Sequence, residues 1–334
     1  MFHKAIRTVI PAILASALFL PLAACDNNDK TDGKPVPQAA SNPVAEDVTA
    51  QTGTKLNFYV KCYNTADGAA RSSAQRYVSW IADVEKGPTG RERNVNVLSS
   101  LAPYELESCT QAIPQASKAK PAMPALDAAA TQYLADLTTL APLVSQAHLY
   151  YSQEDYKDDG FAQGKKMHQP LIMAFKNFIH SSDVYGAEVE KETNALSAAQ
   201  LVEIEKSEGR HISYYRLALI TQGKLLATQL DAQAPDIAEV TKAINAYGAL
   251  LAEADKATAS EPGKPIGWSI VMDNAESFLK DSKDLMRRLR DKTPYSHGEQ
   301  SLIESPGNTG WMVGGSPMRV LRSYNELVKA SNRL

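Results

Sequence analysis

An apolar repeat at three- and four-residue spacing constrains the fold of this chain more than any other feature. From Leu126 to Tyr151, apolar and aromatic side chains recur at this spacing for about seven helical turns. The same spacing recurs from Phe161 to Val189 and from Leu201 to Leu230. Because no stretch alternates apolar and polar residues with period two, we expect no β-sheet. The sequence therefore predicts an all-α fold, an irregular bundle of long antiparallel amphipathic helices.

Turn and capping residues predict where the helices begin and end. Asp158-Asp159-Gly160 separates the first two repeats, because glycine readily ends a helix and aspartate caps the next one. Ser197 is the expected N-cap of the third helix. Further helices are predicted over residues 235–258, 266–292, 56–85 and 103–118, with a last one that begins at Ser316 and Pro317.

The N-terminus has the pattern of a lipoprotein signal. Leu22-Ala23-Ala24-Cys25 forms a lipobox behind the apolar run from Val9 to Leu22 and the basic residues Lys4 and Arg7. The apolar run is too short to remain as a membrane span. We therefore expect residues 1–24 to be a signal peptide that is cut before Cys25. The thiol of Cys25 would then carry diacylglycerol and its amine an acyl chain such as palmitate, and we expect no other cofactor.

The residues after Cys25 bear on location and on the start of the folded domain. Asp26 resembles the signal that keeps a lipoprotein in the inner membrane, so we expect residence at the periplasmic face of that membrane. Because sorting rules differ between bacterial groups, the outer membrane remains the alternative. Residues 25–54 are small and polar with several prolines, a composition that predicts a disordered tether. The all-helical domain is expected over residues 55–334.

The net charge excludes some classes of partner. The whole chain carries −3, and removal of residues 1–24, which include Lys4 and Arg7, makes the charge about −5. An acidic chain has no electrostatic footprint for nucleic acid. It also lacks a polybasic patch for anionic lipid, so the lipid on Cys25 is the predicted membrane contact.

The three cysteines of the chain predict one disulfide. Once Cys25 carries lipid, Cys62 and Cys109 remain as an even pair in an oxidising compartment. A Cys62–Cys109 disulfide is therefore expected. The alternative is two buried thiols that pack as small apolar side chains.

Several segments resemble a known family. Leu56-Asn57-Phe58-Tyr59-Val60-Lys61-Cys62-Tyr63-Asn64 resembles the opening of the YiiG-like lipoproteins, the domain of unknown function 3829. The stretch from Tyr150 to His168 and the closing Gly315-Ser316-Pro317 with Tyr324-Asn325 are similar to it as well. The resemblance covers the domain from about residue 54 to the end and implies an all-helical periplasmic protein. It implies no activity and no catalytic residue.

Histidines and one glutamate are the candidates for a metal site. Glu208 and His211 lie three residues apart, the Glu-x-x-His spacing that di-iron bundles place on one helix face. His168 falls on the apolar stripe of the preceding helix and His148 flanks that of the helix before. Neutral imidazoles with a carboxylate suit zinc or copper. The alternative is that these histidines are hydrogen-bonded within a core.

Aromatic residues are the candidates for a ligand groove. Tyr150, Tyr151 and Tyr156, with Trp311 in the loop before the last helix, could line a surface for peptide, glycan or lipid. A tyrosine ring packs well while its hydroxyl stays hydrated. The alternative is core packing at one end of a helical bundle.

The sequence contains no motif for nucleophilic or phosphate chemistry. There is no Gly-x-Ser-x-Gly elbow and no glycine-rich phosphate loop with its lysine. We therefore predict a membrane-tethered, non-enzymatic lipoprotein that binds a partner of the cell envelope. The alternative is a periplasmic metal-binding protein that uses His148, His168, Glu208 and His211.

Overall fold

The protein is all-helical. The computed structural model describes residues 43–305 and 309–334, and these residues form nine α-helices and no β-strand. The helices are α1 Pro43–Val78, α2 Pro103–Lys118, α3 Pro124–Ser152, α4 Ala162–Ser207, α5 Ile212–Asp231, α6 Ile237–Thr258, α7 Trp268–Arg290, α8 His297–Glu304 and α9 Pro317–Asn332. Two short 3-10 segments, Asp155–Lys157 and Thr309–Met312, lie between them. The predicted all-α class is confirmed.

The described chain divides into two compact units. The first contains residues 54–193, and the second contains residues 43–53 and 194–334. None of the nine described helices combines the length and the apolar character that a bilayer span needs.

The first helix is longer at its N-terminus than predicted. α1 begins at Pro43 rather than at Leu56, so residues 43–54 are helical where a tether was expected. Proline is tolerated at the first helical position, and no second proline follows to interrupt the helix. Cys25 and the remainder of the predicted tether lie outside the described residues.

The break between the second and third predicted helices lies further along the chain than expected, at Gly209 rather than before Ser197. α4 runs without interruption from Ala162 to Ser207, so Ser197 is a buried residue inside the helix and the prediction that it is an N-cap is wrong. No glycine or proline stands between Ala187 and Ser207 to end the helix. The chain leaves the helix at Gly209, whose φ of 83° is the left-handed conformation that glycine adopts readily.

Aromatic side chains fill the core of the first unit. Tyr59 of α1, Tyr133 of α3, and Phe178 and Tyr185 of α4 are all fully buried. The ring centroids of Tyr133 and Tyr185 are 4.8 Å apart, and those of Tyr133 and Phe178 are 5.3 Å apart. Rings at these separations contribute beyond their buried area, so this cluster joins the three helices.

A disulfide links α1 to α2. Cys62 and Cys109 are bonded to each other and are fully buried. The predicted pairing is confirmed, and the alternative of two free thiols is wrong.

The second unit is a bundle of α5, α6, α7 and α9, which pack against one another. Its centre holds the rings of Tyr247, Phe278 and Tyr324, with centroids 5.3 Å and 5.6 Å apart along the series. Gly223 of α5 faces these rings, and a Cβ atom there would lie 3.3 Å from both Phe278 and Tyr324. The small residue therefore lets α5 approach the aromatic centre.

Candidate functional site

One end of the first unit carries a dense group of aromatic side chains, which we call the aromatic cluster. It consists of Trp80 just after α1, Tyr150 and Tyr151 at the end of α3, Tyr156, and Phe161 just before α4. Ring centroids are 5.3 Å apart for Trp80 and Tyr151, 4.9 Å for Tyr150 and Tyr151, and 4.8 Å for Tyr156 and Phe161. The three tyrosines of the predicted groove therefore lie together in the structure.

The turn between α3 and α4 positions the aromatic cluster. The carboxylate of Asp159 accepts hydrogen bonds from the backbone N–H groups of Ala162 and Gln163 at the start of α4. The Tyr150 hydroxyl donates to the same carboxylate at 2.8 Å. The hydrogen bond from Gln163 is the largest of the effects that lower the pKa of Asp159. This acidic turn is thus a helix cap that also holds one ring of the cluster.

Only part of the aromatic cluster reaches solvent. Tyr150 is 6% exposed and Tyr151 is 1% exposed, so both pack mainly as core residues. Tyr156 and Trp80 are partly exposed and form the accessible face. Trp80 was missed in the sequence, although it lies at the end of a predicted helix, close to Tyr77. The apolar pattern indicated that aromatic residues gather here, but it did not show which of their rings reach solvent.

The fourth residue of the predicted groove belongs to the other unit. Trp311 lies in the 3-10 segment Thr309–Met312 of the second unit, whereas the three tyrosines lie in the first. The Arg322 guanidinium stacks over the Trp311 ring, 3.6 Å from its centroid. A cation on the ring face is a stabilising contact in its own right. We therefore restrict the candidate binding surface to Tyr156 and Trp80.

His168 is a hydrogen-bonded core residue. It is 1% exposed, and its Nε2 lies 2.7 Å from the carbonyl oxygen of Val84. Because a carbonyl can only accept, Nε2 donates, and Nδ1 accepts from the Tyr77 hydroxyl at 2.9 Å. Burial lowers the pKa of His168, which favours the neutral ring. Both ring nitrogens are therefore engaged within the protein.

The other predicted metal ligands lie in separate local settings. The Nδ1 atom of His148 lies 2.8 Å from the carbonyl oxygen of Leu98. Glu208 follows the end of α4, and His211 is the N-cap residue of α5. The prediction that Glu208 and His211 lie on one helix face is wrong, because Gly209 breaks the helix between them.

The four predicted metal ligands do not form a metal site in the described part of the chain. Across residues 43–305 and 309–334, no group of three or more His, Cys, Asp or Glu side chains is arranged to hold a metal ion. A zinc or copper site needs three or four such ligands converging on one point.

A buried ionic cluster, which the sequence pattern did not predict, joins α1 to α4. Arg71 donates to Asp67 at 3.0 Å and to Asp183 at 2.6 Å, and it also donates to the Ser182 hydroxyl. That hydroxyl donates in turn to Asp67, which is 1% exposed. Burial raises the pKa of Asp67, and the charge of Arg71 opposes the shift. The i, i+4 spacing of Asp67 and Arg71 within an apolar stripe was the available signal.

A second buried pair joins α1 to α3. The ammonium group of Lys55, which is fully buried, lies 2.9 Å from the Asp127 carboxylate and donates to the carbonyl of Ala119 at 3.2 Å. The Tyr59 hydroxyl donates to the same carboxylate. Because buried charges are costly unless they are paired and hydrogen-bonded, both ionic clusters have structural roles that favour one packing of the helices.

The fold and its covalent link define the class of this protein. It is an all-helical protein of two units, with a buried disulfide in the first and buried ion pairs between its helices. The chain belongs to the family described as Protein of unknown function (DUF3829), which matches residues 50–333. The family expected from the sequence is therefore confirmed.

A curated relative supports the same assignment. The chain is similar to the uncharacterized protein YiiG of Escherichia coli (strain K12), with 29% identity over 349 aligned positions. The alignment covers 97% of each chain. No solved structure matches the chain.

Proposed function

We propose that this protein is an envelope lipoprotein that is cut before Cys25, acylated there and held at the periplasmic face of the inner membrane. The observation that carries the proposal is the lipobox Leu22-Ala23-Ala24-Cys25 behind a short apolar run. The buried Cys62–Cys109 disulfide supports export, because disulfides persist in oxidising compartments. The acidic net charge supports the lipid as the membrane contact, and Asp26 supports residence in the inner membrane.

The tether in this proposal is shorter than the sequence pattern predicts. α1 begins at Pro43, so only residues 26–42 separate the lipid from the first helix. If residues 26–42 form the tether that their composition predicts, the root-mean-square reach of the tether is about 23 Å. The folded units would therefore stay close to the membrane surface.

We propose that the protein acts by binding and not by catalysis, through the accessible face of the aromatic cluster. Tyr156 and Trp80 are partly exposed there, and the exposed ion pair of Lys157 and Glu154 lies beside the Tyr156 ring. Aromatic rings with a nearby polar group suit an envelope protein, a peptide or a glycan.

Mass spectrometry of the native protein tests the anchor. We expect the N-terminal peptide of the membrane-extracted protein to begin at Cys25 and to carry the mass of a diacylglyceryl group and an acyl chain. A Cys25→Ser variant should keep residues 1–24 and lack the lipid mass. An unacylated N-terminus in the native protein would contradict the proposal.

Crosslinking in intact cells tests the binding role. A photoreactive amino acid at position 156 should give a discrete crosslinked product with an envelope component. The matched control is position 104, because Tyr104 is 63% exposed but lies outside the aromatic cluster. Equal crosslinking patterns at the two positions would argue against a specific surface at Tyr156.

A further inference from the structure

The loop between α6 and α7 in the second unit presents an apolar tip. Ile266 is 95% exposed, and Ile270, one turn later on α7, is 55% exposed. Pro262 and Pro265 are exposed in the same loop. Single exposed apolar residues are ordinary on protein surfaces. Here an almost completely exposed isoleucine in the turn before α7 is combined with a second exposed isoleucine four residues later, in the first turn of that helix.

The structure holds this tip in place. Trp268, two residues after Ile266, is 1% exposed and donates from its Nε1 to the Thr258 hydroxyl at 2.9 Å. Lys264 donates to the Thr258 carbonyl at 3.2 Å, so its charge is directed back to the end of α6. Trp268 is buried, and Lys264 stays exposed but is hydrogen-bonded to the end of α6; Ile266 has the largest exposed fraction among the large apolar side chains of the described residues.

We propose that this tip, formed by Ile266 and Ile270, inserts into the periplasmic leaflet of the membrane to which the chain is tethered. The inference rests on the proposed function, because it needs the lipid on Cys25. Residues 43–53, which join the tether to the fold, belong to the same unit as the tip. With a tether reach of about 23 Å, that unit is confined near the bilayer, so a small apolar surface is enough to favour the inserted state.

The chemistry of the tip fits lipid better than a charged headgroup or nucleic acid. Its exposed side chains are mostly isoleucine and proline. The one lysine of the loop, Lys264, is hydrogen-bonded to the Thr258 carbonyl, and Glu261 approaches the His211 ring at 3.7 Å. Insertion would therefore depend on the apolar side chains and change little with salt concentration. Insertion would also orient the second unit, which an acyl anchor on a flexible tether cannot do.

A fluorescent label at position 266 tests the proposal in the acylated full chain. In an Ile266→Cys variant the new thiol is the reactive one, because Cys62 and Cys109 are bonded to each other and the Cys25 sulfur carries the lipid. The chain would be labelled with nitrobenzoxadiazole and reconstituted into phosphatidylethanolamine–phosphatidylglycerol vesicles with brominated acyl chains. Leu225→Cys is the matched control, since Leu225 is 48% exposed on α5 of the same unit.

We expect a blue shift and several-fold stronger bromolipid quenching at position 266 than at position 225. Adding Ile270→Asp to the labelled Ile266→Cys chain should reduce the quenching. If the chain floats with the vesicles but its label shows neither a blue shift nor quenching, the insertion is overturned and the lipid anchor remains supported. A blue shift without bromolipid quenching would make a second copy of the chain the occupant and would overturn the insertion too. A chain that lacks acyl groups and does not float would overturn the proposed function and the insertion together.

Discussion

Replacing Tyr133 by phenylalanine should stabilise the first unit. The Tyr133 side chain is fully buried, and its hydroxyl has no hydrogen-bond partner within the described residues. Burial raises the pKa of Tyr133 well above its ordinary value, so the penalty is that of a neutral hydroxyl. A buried polar group without a partner costs about 1–3 kcal/mol. Phenylalanine keeps the ring contacts with Phe178 and Tyr185 and removes that cost, so the free energy of unfolding should rise by about 1.4 kcal/mol.

Tyr185 is the matched control for this substitution. It is equally buried and its ring is in contact with that of Tyr133, but its hydroxyl donates to the carbonyl of Tyr59 at 2.9 Å. Tyr185→Phe removes a satisfied hydrogen bond and should destabilise the first unit by about 1 kcal/mol. The same chemical change is therefore expected to have opposite signs at two neighbouring positions.

Hydrogen exchange followed by mass spectrometry can measure both effects in the first unit alone. A global unfolding curve reports on both units together, whereas exchange at the amides of α3 reports on the first unit directly. The slowest amides of α3 should exchange about tenfold more slowly in Tyr133→Phe and about fivefold faster in Tyr185→Phe. Faster exchange in Tyr133→Phe would refute the reasoning, because it would mean that the hydroxyl has a stabilising partner.

Three further perturbations test other parts of the first unit. The Cys62–Cys109 disulfide closes a loop with a sequence separation of 47. Reducing it should lower the free energy of unfolding by about 4 kcal/mol on the chain-entropy account, and an unchanged urea midpoint would contradict this. Gly87→Ala should lower the free energy of unfolding by about 1–3 kcal/mol, because φ is 83° and a Cβ would lie 2.6 Å from the His168 ring. Gly68→Ala, at an exposed position in the middle of α1, should raise it by about 0.5–1 kcal/mol. Hydrogen exchange distinguishes the two signs. Burial lowers the pKa of His168 from 6.5, so below that pH the unfolded chain binds more protons than the folded chain. The free energy of unfolding should therefore fall on acidification, by at most about 1.4 kcal/mol per pH unit. Urea unfolding at several pH values should show that His168→Gln reduces this dependence.

The helices that agree best with the sequence are those with a clear local signal, either a long apolar repeat or an N-cap serine followed by proline. The repeat from Leu126 to Tyr151 predicts α3, which runs from Pro124 to Ser152. Ser316 was predicted as the N-cap of the last helix, and its hydroxyl accepts from the Arg319 N–H at 3.1 Å. These signals are local, so a single sequence carries them.

The buried ion pairs show what local signals leave out. Asp67 and Arg71 are spaced for a helical pair, but their burial depends on Ser182 and Asp183 of α4. The spacing alone is equally typical of a solvated surface pair. The contact that distinguishes the two joins residues more than a hundred positions apart. Long-range packing of this kind has no signature in a short window of sequence.

The histidines make the same point for the predicted site. A helical stripe places His168 toward the core, but only the distant Val84 carbonyl and the Tyr77 hydroxyl decide that both of its nitrogens are engaged. For Glu208 and His211 the decisive signal was local and lay in the sequence. Two residues three apart share a helix face only if the helix continues between them, and Gly209 favours a helix end at that point. A Glu-x-x-His motif should therefore be treated as a metal-ligand pair only where the two intervening residues favour a helix.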